Sequence, residues 1–151
     1  MGAREDKMDA AQIKNSVLTL GAAAGARLAL ALGGWDAGMQ VLVALMAADY
    51  ATGVLLALIW HRSRKSSTGG LDSKAGFKGI CRKCMIFVLV WLGVLLDESL
   101  GSDYIRTAVI LFFVGNEGIS LLENLGLMGV PFPACLRRAL EALREQGDQG
   151  K

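Results

Sequence analysis

Residues 39–60 read MQVLVALMAADYATGVLLALIW, and this stretch decides the fold. Its 22 residues contain one charged side chain, that of Asp49. As an α-helix they would extend about 33 Å, which is enough to cross the hydrocarbon core of a bilayer, about 30 Å thick. The stretch therefore predicts a transmembrane helix in an integral membrane protein.

Three further apolar segments surround this stretch, and each is long enough to span a bilayer, which takes about 17–25 residues. The predicted fold is all-α, with four transmembrane helices inside residues 16–124. Arg27 interrupts the first segment, so three crossings with that segment on the membrane surface is the alternative. The predicted spans are 16–32, 39–60, 80–100 and 104–122, between a polar N-terminal segment (1–15) and a cytoplasmic amphipathic helix with its tail (125–151).

The distribution of basic residues predicts the orientation of these helices. Residues 61–83 contain seven Lys or Arg and one Asp, whereas residues 33–38 and 97–103 contain neither Lys nor Arg. Because loops rich in Lys and Arg stay in the cytoplasm, the basic loop is predicted inside and both termini are predicted cytoplasmic. The basic residues of the loop are Arg62, Arg64, Lys65, Lys74, Lys78, Arg82 and Lys83.

Several functional classes are disfavoured by the sequence. The net charge of +2 is too small to indicate nucleic-acid binding. Cys81 and Cys84 have a C-x-x-C spacing, but only Cys135 and His61 remain to complete a four-ligand zinc site. No phosphate-binding glycine loop and no paired acid and base are present. We therefore expect no metal, no cofactor and no enzymatic activity.

Asp49 lies near the middle of the most apolar segment, where a carboxylate should face protein or water rather than lipid. Arg27 is a candidate partner, because the two residues differ in predicted depth by roughly 7 Å, within reach of an arginine side chain. A buried ion pair, a water-filled lumen and a proton relay all remain open for Asp49. Thr52 and Gly53 share its helix face and would permit close helix approach.

The fourth segment carries a polar stripe. Its five polar residues fall within an arc of about 120° on a helix. Such a stripe is typical of a surface that meets water or other polar helices, although a helix that leaves the bilayer at Asn116 would give the same pattern. The stripe consists of Asn116, Glu117, Ser120, Glu123 and Asn124.

The start of the third segment has a face of small residues. Gly76 and Gly79 share this face with Ser73 and Lys83. We expect another helix to pack there.

Four motifs in this order resemble those of the phage lysis and toxin-secretion holin family. Residues 49–53 are similar to its D-Y-x-T-G motif, and residues 73–83 to its S-x-x-G-x-x-G-x-x-x-K stretch. Residues 116–124 resemble its N-E-x-x-S-x-x-E-N element, and residues 129–133 the G-x-P-x-P that follows. The resemblance covers about residues 33–143.

This resemblance implies a holin: a protein of the bacterial inner membrane that forms homo-oligomers and opens a pore or lesion. An endolysin, or a large toxin in some relatives, would leave the cytoplasm through it. Membrane lipid and other copies of the chain are then the expected partners, with endolysin or toxin as cargo. The alternatives are a small ion channel or transporter subunit with intramembrane carboxylates, and a membrane scaffold that recruits a cytoplasmic partner.

Overall fold

The computed structural model describes residues 2–60 and 73–149, and within these ranges every regular element is a helix. The all-α prediction is confirmed. The elements are α1 (Gly2–Ala31), α2 (Ala37–Leu55), which continues as a π-helical turn (Leu56–Trp60), α3 (Ser73–Leu100), α4 (Ile105–Leu127) and α5 (Ala134–Gln149).

Three of the described helices are long and apolar enough to cross a membrane. They cover Ala37–Ile59, Gly76–Leu100 and Ile105–Leu127. The first two have a mean hydropathy of 2.0 and the third of 1.5. The predicted spans 39–60, 80–100 and 104–122 overlap these helices. α1 joins the predicted polar segment to the first apolar segment in one helix and is not among the three, so the fourth crossing stays a prediction.

The core lies between α2, α3 and α4. Met39 and Leu42 of α2 and Val90 of α3 are fully buried. These apolar side chains recur at helical spacing on each helix and remove one face of it from the surroundings. By contrast, the side chains of α1 from residue 12 to residue 28 are exposed. The rest of this core consists of Leu32, Met46, Ile86, Ile110 and Val114.

Arg106 ties together the two short connections at one end of the bundle, which we call the short-loop end. Its Nε donates to the backbone oxygen of Leu32 at 2.6 Å, and its Nη1 donates to Asp36 Oδ2 at 2.6 Å. Gly33 lies under this side chain at φ +80°, and a Cβ there would come 2.6 Å from Arg106 Nε. Only glycine fits this turn, because it has no Cβ and adopts positive φ without strain.

Asp36 also begins α2. Its Oδ1 accepts the backbone N–H of Met39 at 2.8 Å, which is an N-terminal cap. The hydrogen bond from Arg106 holds the pKa of Asp36 below its ordinary value; burial opposes this effect, and the Met39 N–H adds a smaller lowering. The carboxylate is therefore a fixed negative charge at this end of the bundle.

α5 packs antiparallel along α4 at very short range. A Cβ added at Gly115 would come 2.5 Å from the backbone oxygen of Leu140, and one added at Gly147 would come 2.5 Å from the backbone oxygen of Ala108. The Leu140 side chain lies against Gly118 in the same way. Glycine is thus present on both helices where their backbones meet, as in close-packed membrane helix pairs.

Candidate functional site

Asp49 lies at the centre of a polar cluster between α2, α3 and α4. It is 2% exposed. Its Oδ1 accepts the Ser120 hydroxyl at 2.7 Å and the Asn124 amide at 3.1 Å, and its Oδ2 accepts the Lys83 ammonium at 3.0 Å. A buried carboxylate is tolerated only when charged and hydrogen-bonding partners replace water in this way.

Lys83 joins the three helices. Its Nζ contacts Asp49 of α2 and also Glu117 Oε2 of α4. The side chains of Lys83, Asp49 and Glu117 are 16%, 3% and 7% exposed. One ammonium thus lies between two buried carboxylates, and the charge-assisted bonds fix how the helices face each other.

Asn124 and Thr52 complete the cluster. The Asn124 amide donates to the backbone oxygen of Asp49 at 3.2 Å and to Thr52 Oγ1 at 3.1 Å, and the Thr52 hydroxyl donates to the backbone oxygen of Ala48 at 2.8 Å. In the part of the chain that the structure describes, every buried side-chain nitrogen and oxygen has a hydrogen-bond partner. A satisfied network of this kind rigidifies the packing around it.

The depths of the charged residues explain why they meet. Asp49 and Glu117 each lie twelve residues from the first residue of their helix at the short-loop end, which is about 18 Å along the axis. Lys83 lies seventeen residues from Leu100, and therefore about 7 Å further from that end. A lysine side chain covers this difference by extending along the helix surface.

The structure splits the predicted polar stripe of α4 in two. Glu117, Ser120 and Asn124 face the polar cluster, while Asn116 and Glu123 are exposed. Around the helix axis the first group spans an arc of about 60°, and the centre of the second group is rotated from the centre of the first by roughly 80°. One half of the stripe is therefore internal to the chain, and the other half faces outward.

The structure does not bring Arg27 to Asp49. Arg27 is exposed on α1, and the described residues form no ion pair between the two. Lys83 takes the place predicted for Arg27. Hydropathy assigned Lys83 to the basic loop, although Gly76 and Gly79 precede it on the same face and lie against Tyr50 of α2. This face of small residues is the sequence feature that could have identified Lys83 as the partner of Asp49.

The other basic residues of the predicted loop fall into two groups. Lys74, Lys78 and Arg82 are exposed on the first turns of α3, which is helical from Ser73 rather than part of a loop. Arg62, Arg64 and Lys65 lie outside the described residues. The three cysteines are free and exposed, and no group of residues in the described ranges is suited to hold a metal ion.

Comparison with known proteins gives the relationship of the chain. The bacteriophage holin family matches over residues 26–145. This chain belongs to the bacteriophage holin family. An uncharacterized protein of Clostridium perfringens is 37% identical over 77% of this chain and 82% of its own length. An uncharacterized protein of Halalkalibacterium halodurans is 35% identical over 79% of this chain and 85% of its own.

A relative with a functional name is the probable holin of Bacillus phage phi105, which is 30% identical over 74% of this chain and 77% of its own length. No solved structure matches the chain. The resemblance to holins inferred from the sequence is thus confirmed. Three of the four holin motifs quoted above meet in the polar cluster: the first contributes Asp49 and Thr52, the second Lys83, and the third Glu117, Ser120 and Asn124.

Proposed function

We propose that the chain acts as a holin: it accumulates in the bacterial inner membrane, assembles into homo-oligomers and opens a lesion that releases an endolysin or a large toxin. Family membership supports the holin role. The basic residues within 61–83 favour a cytoplasmic position for that end of the bundle, and four crossings would put both termini there as well.

The main observation that supports assembly is the outward position of Asn116. It lies eleven residues from each end of α4, which is about 16 Å along the axis and therefore near the centre of a bilayer. Its side chain is exposed, so in a single chain it faces lipid. Amides at such positions hydrogen-bond across helix pairs, and a second copy would provide that contact.

The polar cluster has a different part in this proposal. Its bonds are made within one chain and join the three membrane helices into a unit. Copies would therefore associate as preformed three-helix units, and Asp49, Thr52, Glu117, Ser120 and Asn124 would hold each unit together. The lumen would be bordered by outward residues such as Asn116 and Glu123.

Replacement of Asn116 by Leu tests the proposal. An interhelical side-chain hydrogen bond in a membrane contributes about 0.6–1.7 kcal/mol, so Asn116→Leu should weaken association roughly 3- to 20-fold per contact and delay permeabilisation. Thr107→Val is the matched control, because Thr107 is also exposed on α4 but lies two residues from Ile105, where water is close.

The assay is inducible expression in bacteria together with an endolysin that lacks its own export signal. Abrupt lysis, with crosslinked oligomers in the wild type and fewer in Asn116→Leu, is the expected result. Wild-type oligomers that are unchanged in Asn116→Leu would contradict the part assigned to this residue. Absence of any permeabilisation by the wild type would contradict the holin role and favour a membrane scaffold.

A second candidate function is a small ion channel or transporter subunit. The observation that favours it is the cluster of two buried carboxylates around one ammonium, since intramembrane carboxylates also serve proton and cation pathways. Ion-selective conductance without release of cytoplasmic protein would support this function. Release of proteins as large as an endolysin would exclude it.

A further inference from the structure

The position of α5 conflicts with a bilayer around α4. α5 has six charged residues among its sixteen, yet it lies along a helix that is apolar enough to span a membrane. The backbone of Arg144 lies against Gly115, ten residues into α4, and Gly147 lies against Ala108, three residues into α4. If α4 spans and α5 stays in this place, α5 carries its charged residues across the bilayer: Asp148 lies near the short-loop surface, and Arg144 lies near mid-bilayer.

Charged side chains at that depth are strongly disfavoured. The packing of α5 on α4 and the full insertion of α4 in lipid therefore exclude each other. The connection between the two helices, residues 128–133, consists of six residues that can extend about 20 Å. This length lets α5 move from α4 to the cytoplasmic surface of the membrane, where its amphipathic character fits.

When α5 leaves α4, it exposes a face of α4 whose small residues allow close contact with another helix. We call it the glycine face, and it consists of Ala108, Gly115, Gly118 and Leu122, of which Gly115, Gly118 and Leu122 are buried in the single chain. The backbone of α5 contacts this face directly, because Gly147 of α5 also lacks a side chain there. A replacement helix must likewise present small residues.

We propose that α5 is an inhibitory strap, which occupies the glycine face of α4 until a second copy of this chain takes its place. Copies inserted in the same orientation hold their α4 helices parallel, so a two-fold axis brings Gly115 of one copy to Gly115 of the other. The same glycines then provide the small residues on both sides. The inference rests on the proposed assembly of the chain. It identifies the glycine face as the contact between copies and α5 as the element that controls this contact.

Leu140 and Leu136 provide matched variants for the test. The Leu140 side chain packs on Gly118, whereas Leu136, on the same helix, is 43% exposed. Leu140→Ala should loosen the strap, increase the crosslinked dimer fraction at equal expression at least 3-fold and advance permeabilisation. Leu136→Ala should match the wild type. Fewer dimers in Leu140→Ala, or equal numbers in both variants and the wild type, would overturn the proposal.

A labelling experiment on membrane vesicles tests the strap without cell lysis. In a chain with Cys81, Cys84 and Cys135 changed to Ser, one cysteine is placed at Leu143, which packs towards the core, or at Leu136. Maleimide should label position 143 at least tenfold more slowly than position 136 in monomers, and equally fast in crosslinked dimers.

The labelling result tests the inhibitory strap independently of the holin role. Slow labelling at position 143 that persists in dimers would show that α5 stays on α4, and would overturn the strap even in a chain that lyses cells. Labelling that changes as expected in a chain that never permeabilises cells would support the strap and remove the holin role instead.

Discussion

Removal of the ammonium from the polar cluster is the sharpest test of the architecture. Lys83→Met keeps the length of the side chain but removes its bonds to Asp49 and Glu117. A hydrogen bond to a charged group contributes about 1.5–3 kcal/mol, and breaking a buried ion pair costs about 3–5 kcal/mol. Since the Lys83 side chain is 16% exposed, some solvent reaches it and the lower end applies.

We therefore expect Lys83→Met to lower the free energy of unfolding by about 3 kcal/mol, which is roughly 150-fold in the folding equilibrium. The measurement is reversible unfolding of the monomer in mixed detergent and SDS micelles, followed by circular dichroism. Lys78→Met is the matched control, because Lys78 is exposed on the same helix and should lose under about 0.5 kcal/mol.

A double-mutant cycle identifies the cause of the loss. In Lys83→Met the Glu117 carboxylate stays buried beside that of Asp49, so Glu117→Gln in this background should restore about 1–2 kcal/mol. In the wild-type background the same substitution should destabilise, because it weakens the bond to Lys83. A loss below about 0.5 kcal/mol for Lys83→Met, or additive effects in the cycle, would refute the description of the cluster as the bond between the three helices.

Three further predictions concern the short-loop end and the topology. Gly33→Ala should lower the free energy of unfolding by about 1–2 kcal/mol or more in the same assay. The reason is that alanine would have to adopt a left-handed backbone conformation and its Cβ would displace Arg106. The lowered pKa of Asp36 means that its ionised form stabilises the fold above the ordinary value of 3.8, and that this contribution is lost as the pH falls through the lowered pKa. Asp36→Asn should therefore flatten the fall in stability below about pH 4, and an unchanged acid slope would contradict this. Met8→Cys in a cysteine-free chain should react with an impermeant maleimide only from the cytoplasmic side if α1 crosses, and reaction from the outside would establish three crossings.

The membrane helices could be predicted from sequence because lipid imposes one requirement on length and composition. Residues 39–60 met this requirement in full, and α2 with its π-helical turn follows them closely. The third helix was harder, because Arg82 and Lys83 marked the end of its apolar run. The structure begins α3 at Ser73 and exposes Arg82, but it turns Lys83 into the bundle.

The partner of Asp49 could not be predicted by the same reasoning. The depth of a residue along a helix follows from counting residues. By this count Arg27 and Asp49 differ in depth by no more than an arginine side chain can span. The choice between Arg27 and Lys83 depends on which helices are neighbours and how each is rotated, and hydropathy contains neither quantity. Rotation was available only from the small residues Gly76 and Gly79, which let Tyr50 pack against α3 and so orient it.

The three faces of α4 have different parts in the proposed assembly of this chain. The face with Glu117, Ser120 and Asn124 is filled by partners from the same chain, so assembly needs no change there. The glycine face holds α5, which lipid would not tolerate at that depth, and the side with Asn116 is exposed. Because the partners of the first face come from the same chain, each subunit can fold before it assembles. Only the other two faces then need to change partners on assembly. Variants of the polar cluster should therefore act through the stability of each chain, whereas variants of the side with Asn116 should change the timing of assembly at unchanged stability.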